Sequence, residues 1–310
     1  MKAKILIAGS KAHASIVFDS INERDDIEIV GVFTDKEDNF CMLNLMHIGE
    51  LAKVAGIPCY LPSQLTIETL KSITKDKKGL DLLLLVEWKK LLTESVYNFP
   101  QYGSFNIHDS LLPEYRGSSP MNWSIIHGDS HTGATFYQIT KSADSGPVYA
   151  QEKLEIEKTD YAQDVLRKML GVYKRVAIQG IRAVIDHKTS QDQDESKASY
   201  CAKRTPEDGL VDFHANVQAV YNMVRALTDP FPGAFTFYKG VKVTITKASI
   251  VKRKYHYVGN IPGSLLKAEK IWILCGNGIL CVEEISANIE GKLIHKPKEF
   301  FTDFSVRLPC

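Results

Sequence analysis

Leu80 to Val86 reads LDLLLLV, an apolar run with one polar residue and no turn former before Glu87. A run so short and so apolar on successive residues is expected of a central strand covered on both faces, not of a half-exposed one. The chain before it fits such a sheet. Lys4 to Ala8 forms another apolar run, broken at Gly9-Ser10-Lys11, and a helical pattern follows from His13 to Asn22. Ile27 to Phe33 and Pro58 to Tyr60 read as strands, Ile48 to Ala55 and Leu65 to Thr74 as helices. This βαβα rhythm predicts an α/β fold with a doubly wound, mostly parallel, Rossmann-like sheet. The glycine turn after the first strand lacks the other glycines of a dinucleotide fingerprint, so no NAD site is expected there.

Ligands of open α/β sheets gather beyond the carboxyl ends of the strands. Val86 to Leu91, and the end of a following strand over Gly103 to His108, should therefore face one crevice. That strand carries Asn106 and His108 two residues apart, hence on one face. Pro113 and Gly117 then break regular structure and open a loop. A carboxamide can donate to a carbonyl oxygen that gains charge, and an imidazole can move a proton near neutrality, which suits acyl transfer. Asp144 is the candidate to orient the imidazole, in the small-residue loop Lys141 to Gly146 after a strand over Gly133 to Ile139. Alone, an Asn-x-His pair fits a hydrogen-bonded strand end equally well. Lys11 sits where anionic groups of an acceptor could be met.

Further on, Pro120 to His127 reads as a helix closed by Gly128, Val148 to Ile156 as a strand, and Tyr161 to Asp186 as a long amphipathic helix. Lys188 to Ser199 is polar and nearly free of apolar residues, as linkers are. We expect a first domain over 1–187, a linker over 188–203 and a second domain over 204–310. Short strand-like runs with a Gly276-Asn277-Gly278 turn predict a small OB-like antiparallel β-barrel there.

A net charge of +1 supplies no overall basic field for nucleic acid or an anionic membrane. The cysteines at 41, 59, 201, 275, 281 and 310 show no metal-ligand spacing, so buried free thiols and no metal site are expected. The opening apolar run is too short for a signal peptide, and none approaches the ~20 residues that span a bilayer. A cytoplasmic protein without a membrane partner is the expectation.

Asn106-Ile107-His108, Ser110-Leu111-Leu112-Pro113-Glu114-Tyr115-Arg116-Gly117 and Ala143-Asp144-Ser145-Gly146 together resemble the active-site pattern of the folate-dependent formyltransferases, most closely those acting on sugar nucleotides. The resemblance extends into Arg204 to Asp208 and Val224 to Phe235, and so covers nearly the whole chain. It implies catalytic roles for Asn106, His108 and Asp144, and N10-formyltetrahydrofolate as formyl donor, held by Val86, Glu87, Trp88, Lys90, Leu91, Leu111, Ala143 and Asp144. It further implies a nucleotide-linked amino sugar as acceptor, with Lys11, Ser110, Arg116 and Arg204 as its contacts, and a place in cell-surface glycan biosynthesis. Asp109 departs from the pattern, where relatives carry Pro or Gly. A methionyl-tRNA formyltransferase and a non-catalytic folate or nucleotide-binding protein are the alternatives. The acidic balance of Thr34 to Phe40 disfavours tRNA. A homodimer is left open.

Overall fold

The structure, a computed structural model, describes residues 2–35, 45–74, 79–252 and 259–309. The chain divides into two compact units, one of Met1–Pro120, His131–Glu155 and Leu166–Ala202, the other of Met121–Ser130, Ile156–Val165 and Lys203–Cys310. The elements run β1 (Ala3–Gly9), α1 (Lys11–Asn22), β2 (Ile27–Phe33), α2 (Ile48–Val54), β3 (Cys59–Tyr60), α3 (Ile67–Thr74), β4 (Leu82–Val86), α4 (Glu94–Tyr97), β5 (Ser104–His108), β6 (Arg116–Gly117), α5 (Pro120–His127), β7 (His131–Gln138), β8 (Val148–Glu155), α6 (Ala162–Ile185) and β9 (Tyr200–Cys201).

In the first unit seven strands lie in the order β3-β2-β1-β4-β5-β7-β8. β1 to β5 pair in parallel, and β7 and β8 add two antiparallel strands. Every residue of β4 is buried, as its composition demands. Its alternate side chains enter two cores: Leu82, Leu84 and Val86 join Phe105, Ile107 and Phe136 against Val17 and Phe18 of α1 and Val172 and Val176 of α6. Leu83 and Leu85 join Leu6, Ala8, Leu70 and Phe99 on the other face.

In the second unit, α7 (Val217–Leu227), β10 (Ala234–Tyr238), β11 (Val241–Ile250), β12 (Leu265–Lys267), β13 (Ile271–Leu274), β14 (Ile279–Ile289), β15 (Lys292–Ile294) and α8 (Pro297–Phe300) follow. Its strands pair antiparallel in the order β10-β11-β14-β13-β12, with β15 on β14. The small antiparallel domain expected of this stretch is this sheet.

Two segments assigned from sequence to the first domain cluster with the second unit. Asn122 donates to the Ala226 carbonyl at 2.7 Å, Arg225 to the Asp160 carbonyl at 2.6 Å and the Tyr161 hydroxyl to the Ala248 carbonyl at 3.0 Å. These polar ties span 65 to 104 residues and leave no trace in hydrophobic periodicity. Nor is 188–202 free chain. Gln191 bridges to Val148, and β9 pairs in parallel with β6.

Of the thiols, Cys275 and Cys281 are buried, whereas Cys201 is half-buried and Cys59 exposed, against the expectation of burial; Cys41 and Cys310 lie outside the described residues, as does 36–40 of the acidic stretch. Among the described residues no helix is long and apolar enough to cross a membrane. No His, Cys, Asp or Glu cluster among them could hold a metal.

α6 meets the sheet at Gly180, where an added Cβ would stand 2.2 Å from the Phe136 ring. Phe136 is fully buried and stacked on Phe105, so it has nowhere to retreat. Gly180→Ala should therefore destabilise the protein by about 1–3 kcal/mol through overpacking, although alanine is worth about 1 kcal/mol more than glycine in a helix. A urea melt showing the variant more stable than the parent would contradict this packing.

Candidate active site

β5 pairs with β7 so that Asn106 lies opposite Tyr137 and His108 opposite Thr135. Directly opposed residues share a face, so these four side chains meet on the sheet side away from α6. The Tyr137 hydroxyl donates to Asp144 Oδ1 at 2.6 Å and accepts from Asn106 Nδ2 at 3.0 Å. Asp144 Oδ2 accepts from the Gly117 amide at 2.8 Å and stands 4.0 Å from His108 Nδ1. Carboxamide, imidazole and carboxylate, drawn from three separate stretches of chain, thus converge.

The imidazole is oriented mainly by backbone. His108 Nε2 lies 2.9 Å from the Tyr115 carbonyl, and a carbonyl only accepts. Nε2 therefore carries the proton of the neutral ring, and the lone pair sits on Nδ1, on the Asp144 side. At 4.0 Å the carboxylate acts on the ring as a charge, not as a hydrogen-bond partner.

The loop from Ser110 to Gly117 is fastened from several directions. The Ser110 hydroxyl donates to the Glu114 carbonyl at 2.6 Å, and Thr135 donates to the Ser110 carbonyl and accepts from the Leu112 amide. Arg116 is buried, its guanidinium paired with both oxygens of Glu195 and with Gln193 Oε1. The Gln193 amide in turn donates to the Asp144 and Gly146 carbonyls at 3.0 and 2.8 Å. The segment expected as a linker is a strap across both site loops.

A cavity of about 280 Å³ opens beside these groups, lined among others by Leu85, Trp88, Lys90, Leu91, Asn106 and Asp144. Ala143 and Tyr137 line it too. Among the described residues the Trp88 indole N–H is buried without a hydrogen-bond partner. Three residues expected at the donor pocket lie elsewhere. Val86 is core, Leu111 packs where Gly133 leaves room, and Glu87 turns toward the start of α1.

Glu87 joins Lys11 at 2.6 Å and His13 at 3.3 Å, so the Lys11 ammonium is committed to an ion pair. Burial alone would raise the Glu87 carboxyl, but Lys11 and His13 outweigh it and hold it well below the carboxylate range. The His13 ring stacks on Tyr173 of α6, whose hydroxyl makes a very short hydrogen bond to Asp109. Burial, and next the Glu87 charge, push the Asp109 carboxyl up. Of the four residues expected at the acceptor, Arg116 and Ser110 thus serve the loop and Lys11 serves Glu87. Arg204 belongs to the second unit, where its guanidinium lies over the Trp123 ring at 5.1 Å and donates to the Asp208 carbonyl. Tyr137, Thr135, Gln193 and Tyr173 were missed from sequence. Only a known β5–β7 register would have pointed to the first two.

Residues 1–181 match the family model described as formyl transferase, and residues 203–305 that of the formyl transferase C-terminal domain. The bifunctional polymyxin resistance protein ArnA of Wigglesworthia glossinidia brevipalpis is 33% identical over 221 residues, 71% of this chain. The aligned stretch is 33% of that relative's length, so the chain corresponds to part of it. An N-formyltransferase from Helicobacter canadensis, solved with folinic acid and dTDP-3-aminofucose, superposes with a TM-score of 0.70 at 19% identity, over 95% of this chain and 99% of its own. WlaRD, a sugar 3N-formyl transferase solved with dTDP and 5-N-formyl-THF, superposes with a TM-score of 0.65 at 21% identity, over 94% of this chain and 100% of its own.

The raised Asp109 carboxyl fixes the sign of a pH effect. A group whose pKa is higher folded than unfolded stabilises fully below its unfolded value, near 3.9, and loses that contribution as pH rises through the folded value. Asp109→Asn removes the titration and keeps a polar partner for Tyr173. The stability of this variant relative to the parent should therefore rise with pH above about 4 and level off once the native carboxyl has ionised. Urea midpoints that differ by a constant amount from pH 4 to pH 9 would refute it.

Proposed function

Because the chain belongs to the formyl transferase family, we propose that it transfers the formyl group of N10-formyltetrahydrofolate to the primary amine of a nucleotide-linked amino sugar. The observation that carries the proposal is the meeting of Asn106, His108 and Asp144 beside a cavity that the first and last of them line. That cavity suits a pterin. Leu85, Leu92 and Ile139 offer apolar wall, and the Trp88 N–H, without a partner among the described residues, offers a buried donor.

In the proposed reaction the acceptor amine attacks the formyl carbon, the bond from that carbon to N10 breaks, the amine loses a proton and N10 gains one. Asn106 donates to the formyl oxygen as it takes up charge. His108 removes the amine proton at Nδ1, the nitrogen left bare by the Tyr115 contact. Asp144 then faces the imidazolium and stabilises it. Arg204 donates through Nη2 to the Asp208 carbonyl, and its other N–H groups suit a phosphate of the acceptor.

Likeness over nearly the full chain to two enzymes described with sugar nucleotides or dTDP supports this acceptor class. Net charge +1 is in keeping with a small acceptor rather than tRNA. A formylated sugar nucleotide would be consumed by glycosyl transfer, and the proposal puts this step ahead of cell-surface glycan assembly in the cytoplasm.

The protein should release tetrahydrofolate from formyl-folate only when an amino-sugar nucleotide is supplied, with the product gaining one formyl group by mass spectrometry. Asn106→Ala, His108→Ala and Asp144→Ala should each lower turnover on the order of 100- to 1000-fold while the circular dichroism spectrum stays that of the folded parent. Efficient formylation of charged initiator tRNA with every amino sugar inert would reverse the acceptor assignment.

A further inference from the structure

The geometry points to Tyr137 as a positioning residue that fixes which edge of the Asn106 carboxamide is presented to the reacting carbonyl. The inference deepens the reading of this site as a formyl transferase and rests on it. Its basis is a count of protons along a chain of three groups. Asp144, when ionised, only accepts, and its Oδ1 lies 2.6 Å from the Tyr137 hydroxyl, so the single phenolic proton is committed to that contact. The phenol oxygen is then left with lone pairs alone toward its other neighbour, 3.0 Å away on Asn106. That neighbour must be a donor. The carboxamide is therefore held with Nδ2, not Oδ1, against Tyr137, and its second N–H, which has no partner among the described residues, is left for an oxyanion in the cavity that Asn106 lines.

Without the phenol the choice disappears. An amide is nearly symmetric in shape, and a flipped Asn106 would offer its carbonyl oxygen to a developing negative charge, turning a stabilising contact into a repulsive one. The negative charge of Asp144 is thus converted, through one hydroxyl, into the orientation of a neutral donor. Burial, and next the Asp144 charge, hold the Tyr137 phenol well above its ordinary value, so it stays protonated and the order of the chain does not reverse over the working range of pH. Packing alone does not account for a hydroxyl here, since a phenylalanine would fill the same buried space.

The test is Tyr137→Phe, which keeps the ring. Turnover should fall about 10- to 100-fold, less than on deleting the oxyanion donor outright, while KM for formyl-folate and for the accepting amino sugar stays within about twofold. In an Asn106→Ala background Tyr137→Phe should cost much less than it does alone, because the residue it orients is gone and only its hold on Asp144 Oδ1 is left to lose. Wild-type turnover in the single variant, or a full additional loss in the double variant, would overturn the inference. A second readout needs no turnover: in ¹⁵N-edited NMR spectra the Asn106 side-chain amide should be slow to exchange in the parent and fast in Tyr137→Phe. An unchanged amide signal refutes the positioning role by itself. Absence of formyl transfer by the parent with every amine would instead refute the proposed function and leave the amide result to decide this one.

Discussion

The site is arranged around one carboxylate whose two oxygens are assigned to different strands. Asp144 Oδ1 takes the hydroxyl of Tyr137 from β7, and Oδ2 takes the Gly117 amide from β6. A side chain so shared cannot rotate without losing two hydrogen bonds, both to a charged acceptor and each therefore worth about 1.5–3 kcal/mol. Asp144 adopts a left-handed backbone, φ +53°, which aspartate tolerates better than most residues. Two residues on, Gly146 passes so near the Gln138 carbonyl that a Cβ would lie 1.8 Å from it. The loop is therefore narrow by construction, and the Asp144 carboxylate returns toward β5 instead of facing outward.

The strand order reverses between β1 and β4, the place where an open α/β sheet leaves a crevice for ligand. Here the protein fills part of it with its own charges. Lys11 and Glu87, both with positive φ, form an ion pair at the carboxyl ends of these strands, and His13 lies against the same carboxylate. The lined cavity lies at the ends of β4 and β5 instead, bounded by Leu85, Asn106 and the Asp144 loop. Asp109 belongs to this filling. One residue past the end of β5, it meets Tyr173 of α6 while His108 meets the Tyr115 carbonyl, so the departure from the family pattern serves the helix side of the sheet.

What was legible in the sequence follows from what each signal measures. Burial on both faces writes itself into consecutive residues, so β4 and the parallel core were readable, and Asn106 with His108 followed from a period of two. Asp144 was readable as a polar residue in a small-residue loop. The partners of these groups were not, because Tyr137 and Thr135 become site residues only through a particular β5–β7 register. Lys11, Ser110 and Arg116 were expected as acceptor contacts for want of any sign of Glu87, the Glu114 carbonyl and Glu195 beside them. The clustering of 121–130 and 156–165 with the second unit was not readable for the same reason, since long-range bonds to main-chain carbonyls have no periodicity.

The strap shows why a polar composition is a poor guide to disorder. Gln193 accepts from Arg116 through Oε1 and donates through Nε2 to the Asp144 and Gly146 carbonyls. A glutamate there would still meet the arginine but would set a negative oxygen against two carbonyls. A lysine would satisfy the carbonyls and repel the guanidinium. Only an amide supplies two donor hydrogens and an acceptor on one planar group, and glutamine has the longer reach of the two side chains that do. A segment selected to bind exposed main chain on one side and a buried cation on the other has to be polar throughout. It can be ordered without burying a single large apolar residue, because the loops it crosses supply the partners that water would otherwise provide.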